Sequence, residues 1–414
     1  MKKLIKTALS TVLALVMALS MGIVAAAEEY DSFTMQYDDR MDISGKTVEI
    51  IDAGKPTSYK VGYGVEENAV LDDAVIAIDG DKLIATGIGT AKVRIDGVLY
   101  EVTVEKAKIN IISIVGQSNS GNHFANATSD ITCSAGTAYY WGYGAIEPKD
   151  YTEPSMGFHA PLLAELYAQS AAAGNPVKNV LVWEEGYTSK NGKSITAWAV
   201  EKEDAINTDG TDGAAQMIRD CIAYYELNSD KYEIVDKIVF CNHGTTDYYM
   251  NPERYINLFI AMWERLKAEG MQYLAFLRVR GSHSLATTEN VDIFYNAPVS
   301  AQFEMVRNRE DMFMVSIITE NWTGNASTKH SVDIRNYITF MEEYGKDGSY
   351  NDSYGNAATV ENGVLTTSMK ALYGSNNKVH YGKFGYGIIG ADAAYNMYAS
   401  LYGNKVHITK TDSS

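Results

Sequence analysis

The spacing of hydrophobic residues changes near residue 107, and the change predicts two kinds of structure along one chain. Between residues 40 and 106, short runs such as TVEII, AVIAI, AKVRI and YEVTV alternate apolar with polar positions and are separated by Gly and Asp turns. Alternation with a period of two is typical of strands with one buried face. Residues 40–106 are therefore predicted to form a small, all-β antiparallel sandwich.

From residue 107 onward, near-continuous apolar runs alternate with segments of helical periodicity. Strands without polar alternation are buried on both faces, which is typical of a parallel sheet covered by helices. The pattern predicts an α/β domain over residues 107–410 with a doubly wound parallel sheet of five strands. The predicted strands are 109–115, 178–184, 236–241, 272–279 and 312–319, and the predicted helices lie around 159–173, 213–227, 252–269, 298–309 and 331–344.

The first 27 residues have the pattern of a secretory signal. Lys2, Lys3 and Lys6 precede an uncharged run rich in Leu, Val, Ala and Met, which ends in three alanines before two glutamates. A retained membrane anchor is the alternative, but the small residues at the exit and the acidic start favour cleavage. We expect a signal peptide at 1–27, a secreted bacterial protein, and no membrane anchor after cleavage.

Charge and composition narrow the classes of function. The formal net charge is −17, and loss of the signal lysines makes it more negative, so no nucleic-acid partner is expected. The three cysteines lack C-x-x-C spacing, which leaves room for one disulfide but argues against a disulfide framework or a thiolate metal site. The scattered histidines and the lack of a Gly-rich phosphate loop predict no metal and no cofactor.

Polar loops follow each predicted strand, and ligands of open α/β sheets bind beyond the carboxyl ends of the strands. The first loop, GQSNSGN, contains two serines. Gly116 permits a tight turn before Ser118, which can project its hydroxyl into the crevice with the next amides facing an anionic oxygen. Ser120 has no such glycine turn before it. A Ser-Asn-Gly turn without any catalytic role is the alternative.

The run VGQSNSGN resembles the nucleophile block of the SGNH hydrolases, in the GQSN form of the sialate O-acetylesterase and carbohydrate esterase family six branch. The resemblance implies that Ser118 is the nucleophile, that Gln117 and Asn119 help to position the substrate, and that the literal SGNH at 120–123 is a coincidence. It also implies a flavodoxin-like, three-layer arrangement of the five strands. Acetylated carbohydrate is the substrate that this branch implies, and no cofactor is needed. In the N-terminal segment, IAIDGDKLIATGIGTAKVRIDGVLYEVTV resembles the bacterial Ig-like group 2 domain.

Two further segments extend the resemblance to the hydrolases. EEGYTSKNGKSITAWA is similar to the branch's GGTSI…W segment, with Ser194 and Trp198 in register. Trp198 either stacks on a sugar or packs in the interior. PSMGFHAPLLAEL resembles the block that supplies a glycine amide to the oxyanion hole, which implies Gly157, although a Gly before a helix is common for steric reasons.

The segment FCNHGTTDYY corresponds by position to the branch's Gln-Gly-Glu-Ser-Asp block. Gly244 and Asp247 match, whereas His243 replaces Gln, Thr245 replaces Glu and Thr246 stands where Ser or Asn is usual. Either threonine can donate a hydrogen bond, but neither has the charge of a Glu or the reach of an amide. Tyr248 follows this loop and is a candidate for contact with the sugar.

The segment NNKVHYGKFGYGIIGADAAYNMY resembles the block that supplies the general base, Asp-x-x-His followed by a glycine-containing helix. It implies that His380 is the base and that Asn377 occupies the position of the acid. An amide can orient an imidazole but cannot compensate its charge. Glu320 and Asp247 are alternative acids, and a Ser-His pair without an acid is a further alternative.

Two functions follow from these residues. The first is a secreted serine esterase that removes acetyl or other small acyl groups from carbohydrate through Ser118 and His380. The alternative is a catalytically impaired carbohydrate-binding or scaffold protein with the same fold. Its support is the pair of departures at Asn377 and Thr245.

Overall fold

The computed structural model describes residues 30–57, 74–120, 130–152, 157–199, 210–247, 250–278, 291–322, 327–352, 355, 357–373 and 380–403. The predicted signal peptide lies outside these ranges. Residue contacts divide the chain into two compact units. The first runs to Tyr37 and then from Met41 to Glu105, and the second comprises Asp38–Arg40 and the residues from Lys106 onward.

The N-terminal strands form two sheets that share one apolar core. The four-stranded sheet has the order β1-β7-β6-β3 and the three-stranded sheet the order β2-β5-β4. Val93, Val102 and Val104 of the first sheet and Ile76 and Leu83 of the second are buried in a single cluster. The strands are β1 (Asp31–Gln36), β2 (Arg40–Asp42), β3 (Val48–Asp52), β4 (Ile76–Asp79), β5 (Lys82–Ala85), β6 (Gly89–Ile95) and β7 (Val98–Glu105).

The first strand corrects the predicted sandwich in two respects. β1 begins before residue 40, and it pairs with β7 in parallel, whereas the pairs β3–β6, β4–β5 and β6–β7 are antiparallel. Its sequence, DSFTMQ, has only one buried residue, Met35, so it lacks the alternation that marks the later strands. The predicted run SYKVGY lies outside the described residues, and the assignment to the Ig-like group stays a prediction.

The second unit is built on a seven-stranded sheet with the order β10-β9-β11-β8-β12-β13-β14. Every neighbouring pair is parallel except β9 with β10. The strands are β8 (Ala107–Gly116), β9 (Ala138–Trp141), β10 (Lys149–Asp150), β11 (Lys178–Val182), β12 (Tyr232–Asn242), β13 (Tyr273–Leu277) and β14 (Met312–Ser316).

Five of these strands coincide with the predicted ones, and their order, β11-β8-β12-β13-β14, is that of flavodoxin-like sheets. The prediction of five strands in all was wrong, because β9 and β10 extend the sheet at one edge. β9 has four residues and β10 has two, which is too short for an apolar run to be recognised in the sequence.

Helices cover both faces of this sheet, and alternate residues of its strands face two separate cores. Ile112 and Ile114 of β8 belong to one cluster and Ile111 and Val115 to the other. The described helices are α1 (His159–Ala172), α2 (Asp212–Leu227), α3 (Pro252–Ala268), α4 (Val291–Asn308), α5 (Ile338–Tyr344), α6 (Met369–Tyr373) and α7 (Lys383–Tyr402). None of the helices in the described ranges is long and apolar enough to cross a membrane.

A small antiparallel sheet lies within the segment that the sequence pattern left largely unassigned. Its order is β15-β18-β17-β16, and the strands are β15 (Lys329–Asp333), β16 (Gly348–Asn351), β17 (Ala357–Glu361) and β18 (Val364–Ser368). The helix predicted near 331–344 is therefore wrong at its start, where β15 stands, and α5 covers only its end. Polar residues such as Lys329, Ser331 and Asp333 form the exposed face of β15.

Candidate active site

Ser118 lies in a one-turn 3-10 helix, Ser118–Ser120, that follows β8 at the carboxyl edge of the sheet. Gly116, the last residue of β8, has a backbone φ of 148°, which residues other than glycine rarely adopt. A Cβ atom at this position would overlap the backbone oxygen of Asn242 and the hydroxyl of Ser120. Glycine therefore allows the chain to turn tightly against β12 and to present Ser118 at the sheet edge.

The two serines of the turn have different environments. Ser120 is completely buried, and its hydroxyl donates to the carbonyl oxygens of Val115 at 3.2 Å and Asn242 at 3.0 Å. Ser118 is partly exposed, and its Oγ lies 2.9 Å from Nε2 of His380. Ser120 thus stabilises the turn, whereas Ser118 combines access from solvent with a neighbouring base.

His380 lies three residues before α7, and the packing of this helix determines where His380 lies. The helix packs closely on the first turn of α1, where a Cβ at Gly390 would lie 2.7 Å from the carbonyl oxygen of Phe158. Asp392 fixes the same helix to the sheet, because its carboxylate accepts hydrogen bonds from Ser316 at 2.6 Å and Tyr337 at 2.9 Å. A rigid helix and a tight turn thus bring together two residues that are far apart in the sequence.

The acid that would orient His380 is not identified by the described residues. Asn377 lies outside them. Glu320 lies in a 3-10 helix, Ile318–Asn321, that follows β14 at the carboxyl edge, but its side chain is also outside the described part. Within the described residues, no hydrogen bond joins Asp247 to His380, because the carboxylate of Asp247 is engaged on the other side of the turn.

Asp247 and Gln117 join three loops at the carboxyl edge. The buried carboxylate of Asp247 accepts from the Ser194 hydroxyl at 2.6 Å and from the Ile195 amide at 3.0 Å. The side chain of Gln117, also buried, donates to the carbonyl oxygen of Lys193 at 2.5 Å and accepts from the Thr245 amide at 2.9 Å. The two residues therefore hold the loops after β11 and β12 against the turn that carries Ser118.

The loop after β12 is bonded to the neighbouring loops, and these bonds occupy groups that were candidates for the oxyanion hole. The Thr245 amide is used by Gln117, and the Thr246 hydroxyl donates to Lys193 O at 3.0 Å and also contacts Gln117. Gly244, with φ 124°, forms the bend of this loop. Gly157, with φ 87°, lies just before α1 and is buried.

The residues predicted to contact the sugar have other surroundings. Trp198 is fully buried in the core on one face of the sheet, so its ring offers no surface to a sugar. Of the two predicted roles, Trp198 has the one in the interior, because it lies in a 3-10 helix, Ile195–Trp198, whose four residues are all buried. Ser194 caps that helix and donates its hydroxyl to Asp247, which is a structural role. Tyr248 lies outside the described residues.

Several supporting residues were not assigned a role from the sequence. The carbonyl oxygen of Ser120 accepts two hydrogen bonds, from Nε2 of His159 and from Nε1 of Trp183, each at 3.0 Å. Burial lowers the pKa of His159 to about 4, so the ring is neutral at neutral pH and its Nε2 carries the proton. Tyr386 of α7 donates to Oδ1 of Asn119 at 2.9 Å. These bonds could not be foreseen, because they depend on which element packs against the turn.

The cysteines and the acidic and histidine side chains form no second centre within the described part of the chain. All three cysteines are buried and unpaired, and burial raises the pKa of the Cys133 thiol to about 12, which disfavours a thiolate nucleophile. No three side chains of His, Cys, Asp or Glu in the described ranges are arranged to hold a metal ion.

Comparisons with known proteins find distant structural similarity. No protein-family model matches the chain, and no curated protein does. The solved structure of NanS is 10% identical with a TM-score of 0.43, covering 73% of this chain and 100% of NanS. A carbohydrate acetylesterase from Xanthomonas citri is 12% identical with a TM-score of 0.35, covering 82% of this chain and 89% of that one. A carbohydrate esterase family 2 enzyme from Corynascus thermopiles (Myceliophthora fergusii) is 14% identical with a TM-score of 0.30, covering 87% and 90%. The chain is thus similar, at a distance, to two carbohydrate esterases.

Proposed function

We propose that this protein is a secreted serine esterase of SGNH type, which removes acetyl or other small acyl groups from carbohydrate. The observation that carries the proposal is the 2.9 Å separation between the Ser118 hydroxyl and Nε2 of His380, at the edge of the sheet where ligands of α/β proteins bind. The resemblance of VGQSNSGN to the SGNH nucleophile block supports the same assignment.

In the proposed reaction, Nε2 of His380 accepts the hydroxyl proton while Ser118 Oγ bonds to the acyl carbon. The carbonyl electrons move to its oxygen, where backbone amides stabilise the negative charge, and Ser118 and Gly157 are the proposed donors. The carbonyl then re-forms, the bond to the sugar oxygen breaks, and that oxygen takes the proton from His380. Water repeats the cycle on the acyl-enzyme, which releases the carboxylic acid and restores Ser118.

The test compares the wild-type protein with Ser118→Ala and His380→Ala on 4-nitrophenyl acetate. Removing a nucleophile or base of this kind costs on the order of 10⁴- to 10⁶-fold in kcat. Ser229→Ala is the matched control, because this exposed serine lies between α2 and β12, at the opposite edge of the sheet. We expect it to retain the wild-type rate.

The alternative function predicts a different result. A scaffold or carbohydrate-binding protein with an impaired site would hydrolyse the ester no faster than Ser118→Ala does. Equal rates for these two proteins, with both folded by circular dichroism, would therefore refute the esterase and favour the alternative.

A further inference from the structure

Two tyrosines in loops at the carboxyl edge of the sheet, the edge that also carries Ser118, form a stacked aromatic pair. The rings of Tyr143 and Tyr187 are parallel within 9°, with centroids 4.2 Å apart. Tyr143 is 48% exposed, so part of the stacked pair is open to solvent, while Tyr187 is half-buried against the core. We call these two residues the tyrosine platform.

The platform belongs to the same edge of the sheet as Ser118. Tyr143 lies in the loop that follows β9, and Tyr187 in the loop that follows β11, both at carboxyl ends of parallel strands. The second loop is bonded directly to the nucleophile turn: the Lys190 amide donates to Gly116 O at 2.9 Å, and the Ser189 hydroxyl donates to Gln117 O at 3.1 Å. Chain geometry then limits the Cα separation of Tyr187 and Ser118 to at most about 20 Å.

Polar groups that suit sugar hydroxyls accompany the aromatic surface. Glu184 begins the loop that carries Tyr187, and its Oε2 accepts from the Tyr140 hydroxyl at 2.9 Å. The same carboxylate lies close to the start of the other loop, because a Cβ at Gly142 would be 3.2 Å from it. An aromatic face with adjacent hydrogen-bonding groups matches a pyranose ring, which presents C–H groups on its face and hydroxyls at its rim.

The negative charge of the two loops favours uncharged sugars over acidic ones. Residues 142–148 and 183–189 contain Glu147, Glu184 and Glu185, and no Lys, Arg or His. A lysine follows each loop directly: Lys190 is buried with its ammonium 5.0 Å from the centre of the Trp198 ring, and Lys149 is exposed in β10 beside Asp150. The three glutamates still outnumber the one exposed lysine. A carboxylated sugar would therefore meet negative charge at the platform, whereas an uncharged sugar would not.

We propose that the tyrosine platform is a glycan subsite that binds an uncharged pyranose ring of an acetylated oligosaccharide while the acetyl group of the same chain reaches Ser118. The inference rests on the proposed esterase function and specifies its substrate class as neutral glycan rather than acidic sugar. Stacking that contributes to binding of substrate and transition state alike raises kcat/KM through a lower KM.

The experiment measures kcat/KM on acetylated xylo-oligosaccharide and on 4-nitrophenyl acetate, which has no sugar. In Tyr143→Ala we expect the ratio of the two values to fall about two- to tenfold through a higher KM for the glycan. Tyr143→Phe keeps the ring and is expected to keep the ratio. Leu227→Ala removes an even more exposed apolar side chain at the end of α2 and is the control, with both substrates unaffected.

Two outcomes would overturn the inference. One is an unchanged ratio in Tyr143→Ala, and the other is a wild-type preference for O-acetylated sialic acid over the neutral oligosaccharide. The double variant Glu184→Gln, Glu185→Gln is expected to improve the rate on the acidic sugar relative to the neutral one.

Failure of the proposed esterase function is distinguishable from failure of the platform, since the wild-type protein would then hydrolyse 4-nitrophenyl acetate no faster than Ser118→Ala does. In that case, calorimetry with deacetylated xylo-oligosaccharide still tests the platform, and equal affinities of wild type and Tyr143→Ala would refute it.

Discussion

Acid is expected to destabilise the α/β unit through His159, whose ring bonds to the turn that carries Ser118. The ring is 2% exposed, lies edge-on to Phe158 and Trp183, and donates from Nε2 to the carbonyl oxygen of Ser120. Burial lowers its pKa from 6.5 to about 4, because a charged imidazolium loses its hydration there. Between these two values the unfolded chain binds the proton and the folded chain does not, so the stability present above pH 6.5 is lost as the pH falls.

The size of this effect follows from the shift. A pKa lowered from 6.5 to about 4 corresponds to about 3 kcal/mol of unfolding free energy when the protonation is complete. Most of it, about 2–3 kcal/mol, is expected between about pH 8 and about pH 4.5. His159→Gln retains an amide that can donate to Ser120 but does not titrate, so its stability lacks this contribution to the pH dependence.

Urea denaturation at the two pH values measures the effect, with wild type and His159→Gln compared at each. All five tryptophans of the chain lie after residue 107, so their fluorescence reports on the α/β unit. Other groups titrate over the same range, but they titrate in both proteins and cancel in the difference between them. Parallel curves of unfolding free energy against pH for the two proteins would refute the reasoning.

Three other substitutions test the turn and the loops around it. Gly116→Ala is expected to lower the free energy of unfolding by about 2–4 kcal/mol and to remove most of the activity, because φ is positive here and a Cβ would overlap Asn242. A variant as stable in urea as the wild type would contradict this. Ser120→Ala is expected to lower stability by about 1–2 kcal/mol but to leave far more esterase activity than Ser118→Ala, as measured on 4-nitrophenyl acetate. Asp247→Asn is expected to lower the free energy of unfolding by about 1–2 kcal/mol, because its carboxylate holds Ser194 and Ile195. Its kcat is expected to fall far less than the roughly 10⁴-fold that follows loss of a triad carboxylate. A roughly 10⁴-fold loss would instead identify Asp247 as the acid that orients His380.

The central strands were predictable because burial on both faces imposes a sequence pattern. Strands β8, β11, β12, β13 and β14 are buried on both faces and therefore each contain a short, near-continuous apolar run. β9 and β10 at the edge, and the small sheet of β15 to β18, do not need such a run. One face of β16, β17 and β18 is exposed, so these strands tolerate Thr, Ser and Asn and lack a continuous apolar run. β9 is mostly buried, but it is only four residues long.

The site was predictable only as far as strand ends and motif resemblance reach. The position of Ser118 follows from the carboxyl end of a parallel strand, whereas that of His380 beside it was implied only by the resemblance of its segment to the same family. The burial of Trp198 does not follow, because the sequence does not indicate which side of a short 3-10 helix faces the core. The tyrosine platform was missed for a related reason: its members come from loops after β9 and β11, and β9 was not predicted.

The two threonines after β12 show how a departure from a family motif can be accommodated. In the resembling branch a Glu and a Ser occupy these positions, and their replacement by Thr245 and Thr246 first indicated a weakened site. The loop is nevertheless bonded on both sides, by Gln117 from the nucleophile turn and by Asp247, which also caps the helix at Ser194. The side chain of Gln117 donates to Lys193 O and accepts from the Thr245 amide, so it links the loop after β11 to the bend at Gly244. We therefore expect activity on 4-nitrophenyl acetate to fall more in Gln117→Ala than in Thr245→Ala or Thr246→Ala, because Gln117 bonds to both loops through its side chain.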